Sequence, residues 1–189
     1  MFPHNIFTRK KPVMVLWIYR FFPHCNYNKS IVNCGCTELK KIAGLYNSRD
    51  FKIWFSTSTV DARCNVLGKV DNTDNCGIDN LDADGYGPWL EMGTYNIVVN
   101  SYTELISGSI HKQIKVMDTG GNLATTDVLT ESNSDGRYAG KCDGSSASAG
   151  NPIRGNNNVN DSRWSYDVSL SGSVCTGNYP VYCFEQPDL

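Results

Sequence analysis

Histidine is scarce in this sequence: three residues in 189, of which only His111 lies beyond residue 24. Paired C-x-x-C clusters are missing too, the nearest cysteines being Cys34-Gly-Cys36. Together these absences remove the usual donor sets of a structural zinc site. No glycine loop of the phosphate-binding P-loop type occurs. No internal repeat is visible, and the most apolar run, residues 13–19, is too short to span a bilayer. Neither sign of charge dominates, and a net charge of −2 gives no reason to expect a nucleic acid partner. Acidic residues are absent from the first 37 positions, which hold Arg9, Lys10, Lys11, Arg20 and Lys29; all 19 carboxylates lie beyond, with 12 of the 17 basic groups.

What is present is a chain long enough for one domain with a real core, 40% hydrophobic and 19% charged. Eight cysteines, at 25, 34, 36, 64, 76, 142, 175 and 183, are many for this length. With the zinc reading weak, they point to disulfides formed in an oxidising compartment, and sequence alone leaves 105 complete pairings open. Residues 1–33 have the order of a secretory leader, Arg9-Lys10-Lys11 before the apolar stretch 13–19, but Arg20 interrupts it and no small-x-small cleavage site follows. They read as a degenerate leader or as an artefactual extension, with the domain proper over 34–189.

Residues 36–46 carry Leu39, Ile42, Ala43 and Tyr46 on one helical stripe, which predicts a short amphipathic helix. Residues 51–55 (Phe-Lys-Ile-Trp-Phe) predict a strand. Ser56-Thr57-Ser58-Thr59 offers caps for a second short helix burying Val60, Cys64 and Leu67, with Asp61 at its positive end. Strand patterns return at 96–99, 110–116, 168–170 and 179–184. Residues 132–162, rich in Ser, Asn, Gly and Asp, predict one or two long surface loops. The sum is an α+β fold.

Several stretches resemble the bacterial domain-of-unknown-function family 1554: "FKIWFSTSTVDAR" (51–63), "GPWLEMGTYNIV" (87–98), "SYTELISGSI" (101–110), "RWSYDVS" (163–169) and "YCFEQ" (182–186). The resemblance covers roughly residues 34–186. It implies a C-type-lectin-like, endostatin-like fold with two short helices, twisted antiparallel strands and long polar loops stapled by disulfides. Family members are frequent in spirochaete surface proteins, so it also implies a secreted or bacterial cell-surface location and a host or bacterial protein or glycan as partner. The family's opening strand is not recognisable upstream of residue 34. The resemblance further implies that Cys183 on the last strand bonds to Cys34 or Cys36, that Cys142 and Cys175 staple the polar loop, and that Cys64 and Cys76 pair locally. This leaves Cys25 with the remaining one of Cys34 and Cys36. A cross-link around a loop of about 34 residues removes roughly 3–4 kcal/mol of unfolded-state entropy in the chain-entropy model.

Two calcium patterns deserve weighing. Gln186-Pro187-Asp188 matches a sugar-site triplet of calcium-dependent lectins, but it stands at the end of the chain with no ligand-bearing strand behind it, so it reads as chance. Asn80, Asp82, Asp84, Gly85 and Glu91 fit N-x-D-x-D-G-x5-E, in which alternating oxygens converge and Glu91 binds bidentately. Calcium at this loop is the one cofactor the sequence suggests; a solvated acidic turn is the alternative. No catalytic constellation emerges. His111 lacks a placed nucleophile, and Asp118-Thr-Gly-Gly121 reads as a hairpin turn. Trp54, Trp89 and Trp164 read as core. Arg163 and Trp164, beside the loop 144–162, are the candidate ligand contacts.

Overall fold

A computed structural model describes residues 13–18, 36, 50–69, 76–78, 86–91, 94–114, 116–117, 123–124, 127–140, 151–170 and 179–186. Its main element is a five-stranded sheet in the order β2-β9-β1-β3-β4. The strands are β1 (Val13–Ile18), β2 (Phe51–Ile53), β3 (Trp89–Glu91), β4 (Ile97–Val99) and β9 (Val181–Glu185). Two two-stranded ribbons accompany it: β5 (Val116–Met117) with β6 (Leu123–Ala124), and β7 (Asp127–Leu129) with β8 (Arg154–Asn156). Among the described residues two short helices, α1 (Ala62–Asn65) and α2 (Tyr102–Ile106), and a 3₁₀ turn, η1 (Ser162–Trp164), give an α+β architecture.

Residues 13–18, which fall in the stretch read above as a degenerate leader or an extension, form the middle strand of the sheet. β1 pairs antiparallel with β9, Val15 opposite Phe184 and Ile18 opposite Val181, and parallel with β3, Val13 opposite Trp89. The run of β-branched and aromatic residues that resembles a leader is equally the composition of a strand flanked on both sides.

β9 is the hub. It also pairs with β2, Ile53 opposite Cys183, and the bond Cys36–Cys183 (Cα–Cα 5.6 Å) fastens it to a residue in helical conformation. The rest of the expected helix 36–46 lies outside the described residues. Against β9 packs an aromatic cluster in which Trp54, Trp89, Trp164, Tyr182 and Phe184 are each fully buried. Trp164 sits 5.0 Å from Trp54 and 5.4 Å from Tyr182, centroid to centroid. The predicted strand 51–55 ends at Ile53, yet the Trp54 N–H still bonds to the carbonyl of Tyr182 (2.8 Å).

α1 begins at Asp61, whose carboxylate makes no cap bond of its own; it accepts instead from Arg63 Nε and from the backbone N–H of Tyr138. The Ser56 hydroxyl accepts the N–H of Ala62 (2.9 Å), so the capping role foreseen for residues 56–59 is met from a distance of six residues. Cys64 on α1 is bonded to Cys76, and the Tyr102 hydroxyl donates to Cys76 Sγ (3.4 Å). Burial pushes the Tyr102 phenol well above its ordinary range, so it stays a donor.

Three further expectations change. Residues 110–114 are irregular, with Ile110 and Ile114 buried but no strand until Val116. The stretch 168–170 is a turn, not a closing strand, and Val168 is 77% exposed. The polar segment 132–162 is not all loop. Arg154–Asn156 is strand β8, and Ser132 at the start of the segment is fully buried, like Thr130 and Glu131 just before it. α2 was not foreseen; Ser101 caps it by accepting the N–H of Glu104 (3.2 Å), the S-x-x-E arrangement of a capping box.

Candidate binding surface

The segments just before β8 and just after η1 form an open concavity of about 190 Å³. Asn151, Pro152 and Ile153, which lead into β8, line one part; Tyr166, Asp167, Val168 and Leu170, which follow η1, line the rest. The two arms meet at Gly155, where any Cβ would overlap the carbonyl of Trp164. Only glycine lets the chain after η1 come this close to β8. The Asp167 N–H then bonds to the carbonyl of Arg154 (2.8 Å), and the Tyr166 N–H to that of Ser162 (3.2 Å).

Buried polar groups hold both arms to the core. The Trp54 indole N–H donates to Ser165 Oγ (2.8 Å), which donates onward to the carbonyl of Asn133 (3.1 Å). Thr130 Oγ1 donates to the carbonyl of Ser165 (2.6 Å) and the Tyr182 hydroxyl to that of Trp164 (3.1 Å). On the other arm the carboxylate of Glu131 accepts the N–H of Ile153 (2.8 Å). Arg154, 5% exposed, pairs with Asp127 and lies over the ring of Tyr179 at 5.7 Å. Trp164 Nε1 and Arg154 Nε are buried with no hydrogen-bond partner among the described residues.

Asp167 is the carboxylate of the surface. Burial pushes its carboxyl up, but the hydroxyl and N–H of Ser169, the amide of Asn156 and the charge of Arg163 together hold it below its ordinary value. Ser169 takes two bonds at Oδ1 (3.0 and 2.6 Å) and Asn156 one at Oδ2 (3.3 Å). A carboxylate has about four acceptor positions, of which Ser169 and Asn156 take three, and the residue is 5% exposed. With Tyr166 as an aromatic plane, Asn151 as an amide and Pro152, Ile153 and Leu170 as apolar wall, the surface suits a ligand that is apolar on one side and donates hydrogen bonds on the other.

The candidates named from sequence fall differently. Trp164 is fully buried in the aromatic cluster, so it supports the surface from behind and is not a ligand contact. Arg163 is exposed, but its guanidinium forks onto Asp161 (Nε–Oδ1 3.0 Å, Nη2–Oδ2 2.7 Å), which holds the Asp161 carboxyl below its ordinary value. Asn80, Asp82 and Asp84 lie outside the described residues, as do Cys142 and Cys175. Glu91 closes β3 and is 3% exposed; its carboxylate accepts from Thr94 Oγ1 and stands 4.0 Å from Lys112 Nζ. That engagement belongs to the β3–β4 turn. Gln186 ends β9 by donating its N–H to the Asp50 carbonyl (2.7 Å), and residues 187–188 of the triplet lie outside the described residues.

No family model matches the chain, and no curated protein matches it. Among the described residues no helix is long and apolar enough to cross a membrane, and no three His, Cys, Asp or Glu side chains converge on a point.

The strand pattern of 168–170 hides Tyr166 and Asp167, which carry no periodicity of their own. The signal was Asp167-Val-Ser169, in which an Asp side chain bonds the backbone two residues on and turns the chain outward.

Proposed function

We propose that the chain is a disulfide-stapled, extracytoplasmic binding domain of C-type-lectin-like type, belonging to a bacterial surface or secreted protein, which takes a protein or glycan on the surface of residues 151–153 and 166–170 and catalyses no reaction. The observation that carries this reading is the concavity itself: exposed and half-buried Tyr166, Val168 and Leu170 on loops, backed by a buried aromatic core. Two disulfides support the extracytoplasmic part, because such bonds persist outside the reducing cytosol. The sheet in which β2, the first described strand after the cysteine-bearing helical residue, lies beside β9, the last described strand, supports the lectin-like part.

The test is binding of the oxidised protein to immobilised glycans and purified host surface proteins, in parallel with Tyr166→Ala and Asp167→Asn. Saturable binding to one class, weakened about tenfold by Tyr166→Ala as expected for an aromatic anchor, is the predicted result. Binding indifferent to both substitutions removes the surface from the reading, and turnover of esters, peptides or glycosides removes its non-catalytic part.

A further inference from the structure

We propose that Asn100, Glu104 and His111 form a site for one divalent transition-metal ion of the zinc or nickel class. His111 Nε2 lies 2.7 Å from Glu104 Oε1 and 2.6 Å from the Asn100 side-chain amide. One nitrogen cannot serve both neighbours as they stand: accepting from an amide N–H needs its lone pair, and donating to a carboxylate needs a proton on that same atom. Turning the amide over, so that its oxygen faces inward, removes the conflict. A carboxylate oxygen and an amide oxygen then both neighbour one imidazole nitrogen, the Glu104 carboxylate at 2.7 Å and the Asn100 amide at 2.6 Å from Nε2. That donor set suits a borderline cation better than calcium, which requires six to eight oxygens.

The backbone prepares the arrangement. The Asn100 N–H donates to Glu104 Oε2 (2.6 Å), which turns Oε1 toward the imidazole, as an outer bond orients a ligating carboxylate. Ser101 fixes the first turn of α2, and the His111 N–H bonds to the carbonyl of Val98 (2.8 Å), which returns the chain to the same spot. Ligands about 2.0–2.1 Å from a tetrahedral metal stand about 3.3–3.4 Å apart, so the imidazole needs to draw away from each neighbour by about 0.7 Å. The His111 and Glu104 side chains are 47% and 28% exposed, which leaves them that freedom and leaves the outer coordination positions to water. Lys112, the nearest cation in sequence, directs its ammonium to Glu91 instead. The site is separate from the concavity of residues 151–170 and does not depend on what that surface binds.

The experiment is calorimetric titration of the oxidised full chain with zinc chloride, with copper(II) bound at the same site as a spectroscopic probe. One equivalent should bind. The affinity should fall about 10- to 100-fold on His111→Ala and on Glu104→Gln, the usual consequence of losing a ligand or its support. Copper should show coupling to a single imidazole nitrogen, and excess calcium should not compete. All three positions are at the surface, so unchanged metal-free melting will show that the variants fold. Absence of uptake at millimolar zinc overturns the proposal. So does uptake that survives His111→Ala, which would place the metal elsewhere in the chain.

Discussion

Trp54 and Ser165, 111 residues apart in the chain, are joined by a buried hydrogen bond of 2.8 Å from the indole Nε1 to the hydroxyl. The same hydroxyl reaches Asn133, so one atom ties the residue after β2, the loop after β7 and the end of η1. Ser165→Ala leaves the indole N–H buried without an acceptor, at a cost of about 1–3 kcal/mol. Urea unfolding followed by tryptophan fluorescence measures this. A midpoint unchanged from the parent protein would mean that the bond does not hold the arms together.

The two described disulfides differ in reach. Cys36–Cys183 spans 147 positions and Cys64–Cys76 spans 12. In the chain-entropy model the first removes about 5 kcal/mol of unfolded-state freedom and the second about 3 kcal/mol. Replacing each pair by alanines should therefore lower the denaturation midpoint more for the long bridge. Paired urea titrations decide the order, and a larger loss from the short bridge would show that native packing around the sulfurs, such as the Tyr102 hydroxyl on Cys76, outweighs chain entropy.

Asp167 makes stability depend on acid. Its carboxyl is held below the ordinary value of 3.8 by the bonds from Ser169 and Asn156. The folded protein thus binds the proton less readily than the unfolded chain. Its contribution is complete above the unfolded value and is lost as pH falls through the folded one. Asp167→Asn should flatten the acid limb of a melting-temperature profile taken from pH 6 to pH 2 and leave the neutral region parallel to the parent. An acid limb of unchanged slope would contradict the assignment.

Glu91 provides a check on the calcium pattern at residues 80–91. Its carboxylate is committed to Thr94 and faces Lys112. Glu91→Gln should destabilise the β3–β4 turn by about 1–3 kcal/mol, as for loss of a charged hydrogen-bond acceptor, and leave calcium titration of the chain as it was. A calcium isotherm altered by that one substitution would return Glu91 to the ligand set.

Much of the fold was legible where a single period governed a stretch. Phe51 and Ile53 alternate and are buried in β2; Val98 and Val99 lie in β4 where apolar residues were expected; Tyr182 to Phe184 form the heart of β9. The losses share a cause. In 110–116 the apolar residues alternate, but Ile110 bonds its N–H to Asn160 and His111 to Val98, so tertiary partners replaced a ladder. In 154–156 an Arg-Gly-Asn strand has no strand composition, and it exists because Gly155 admits the backbone of η1. At the binding surface, Tyr166 and Asp167 have no pattern of their own; a turn bond to Ser169 and the arm across the cleft define them.

The largest difference between pattern and structure is β1, and it is open to direct attack. A chain beginning at residue 34 lacks the strand that pairs Leu16 with Cys183 and Trp17 with Tyr182 on one side, and Met14 with Leu90 on the other. The sheet order β2-β9-β1-β3-β4 then breaks at its middle, leaving β2 with β9 and β3 with β4 as two separate pairs. Isolated two-stranded ribbons are marginal in water, and the exposed edges of β9 and β3 invite association. The shortened chain should therefore lose its cooperative urea transition and elute as aggregate, whereas the full chain unfolds in one step. Equal midpoints for the two would mean that the sheet closes without residues 13–18, with β9 and β3 adjoining directly.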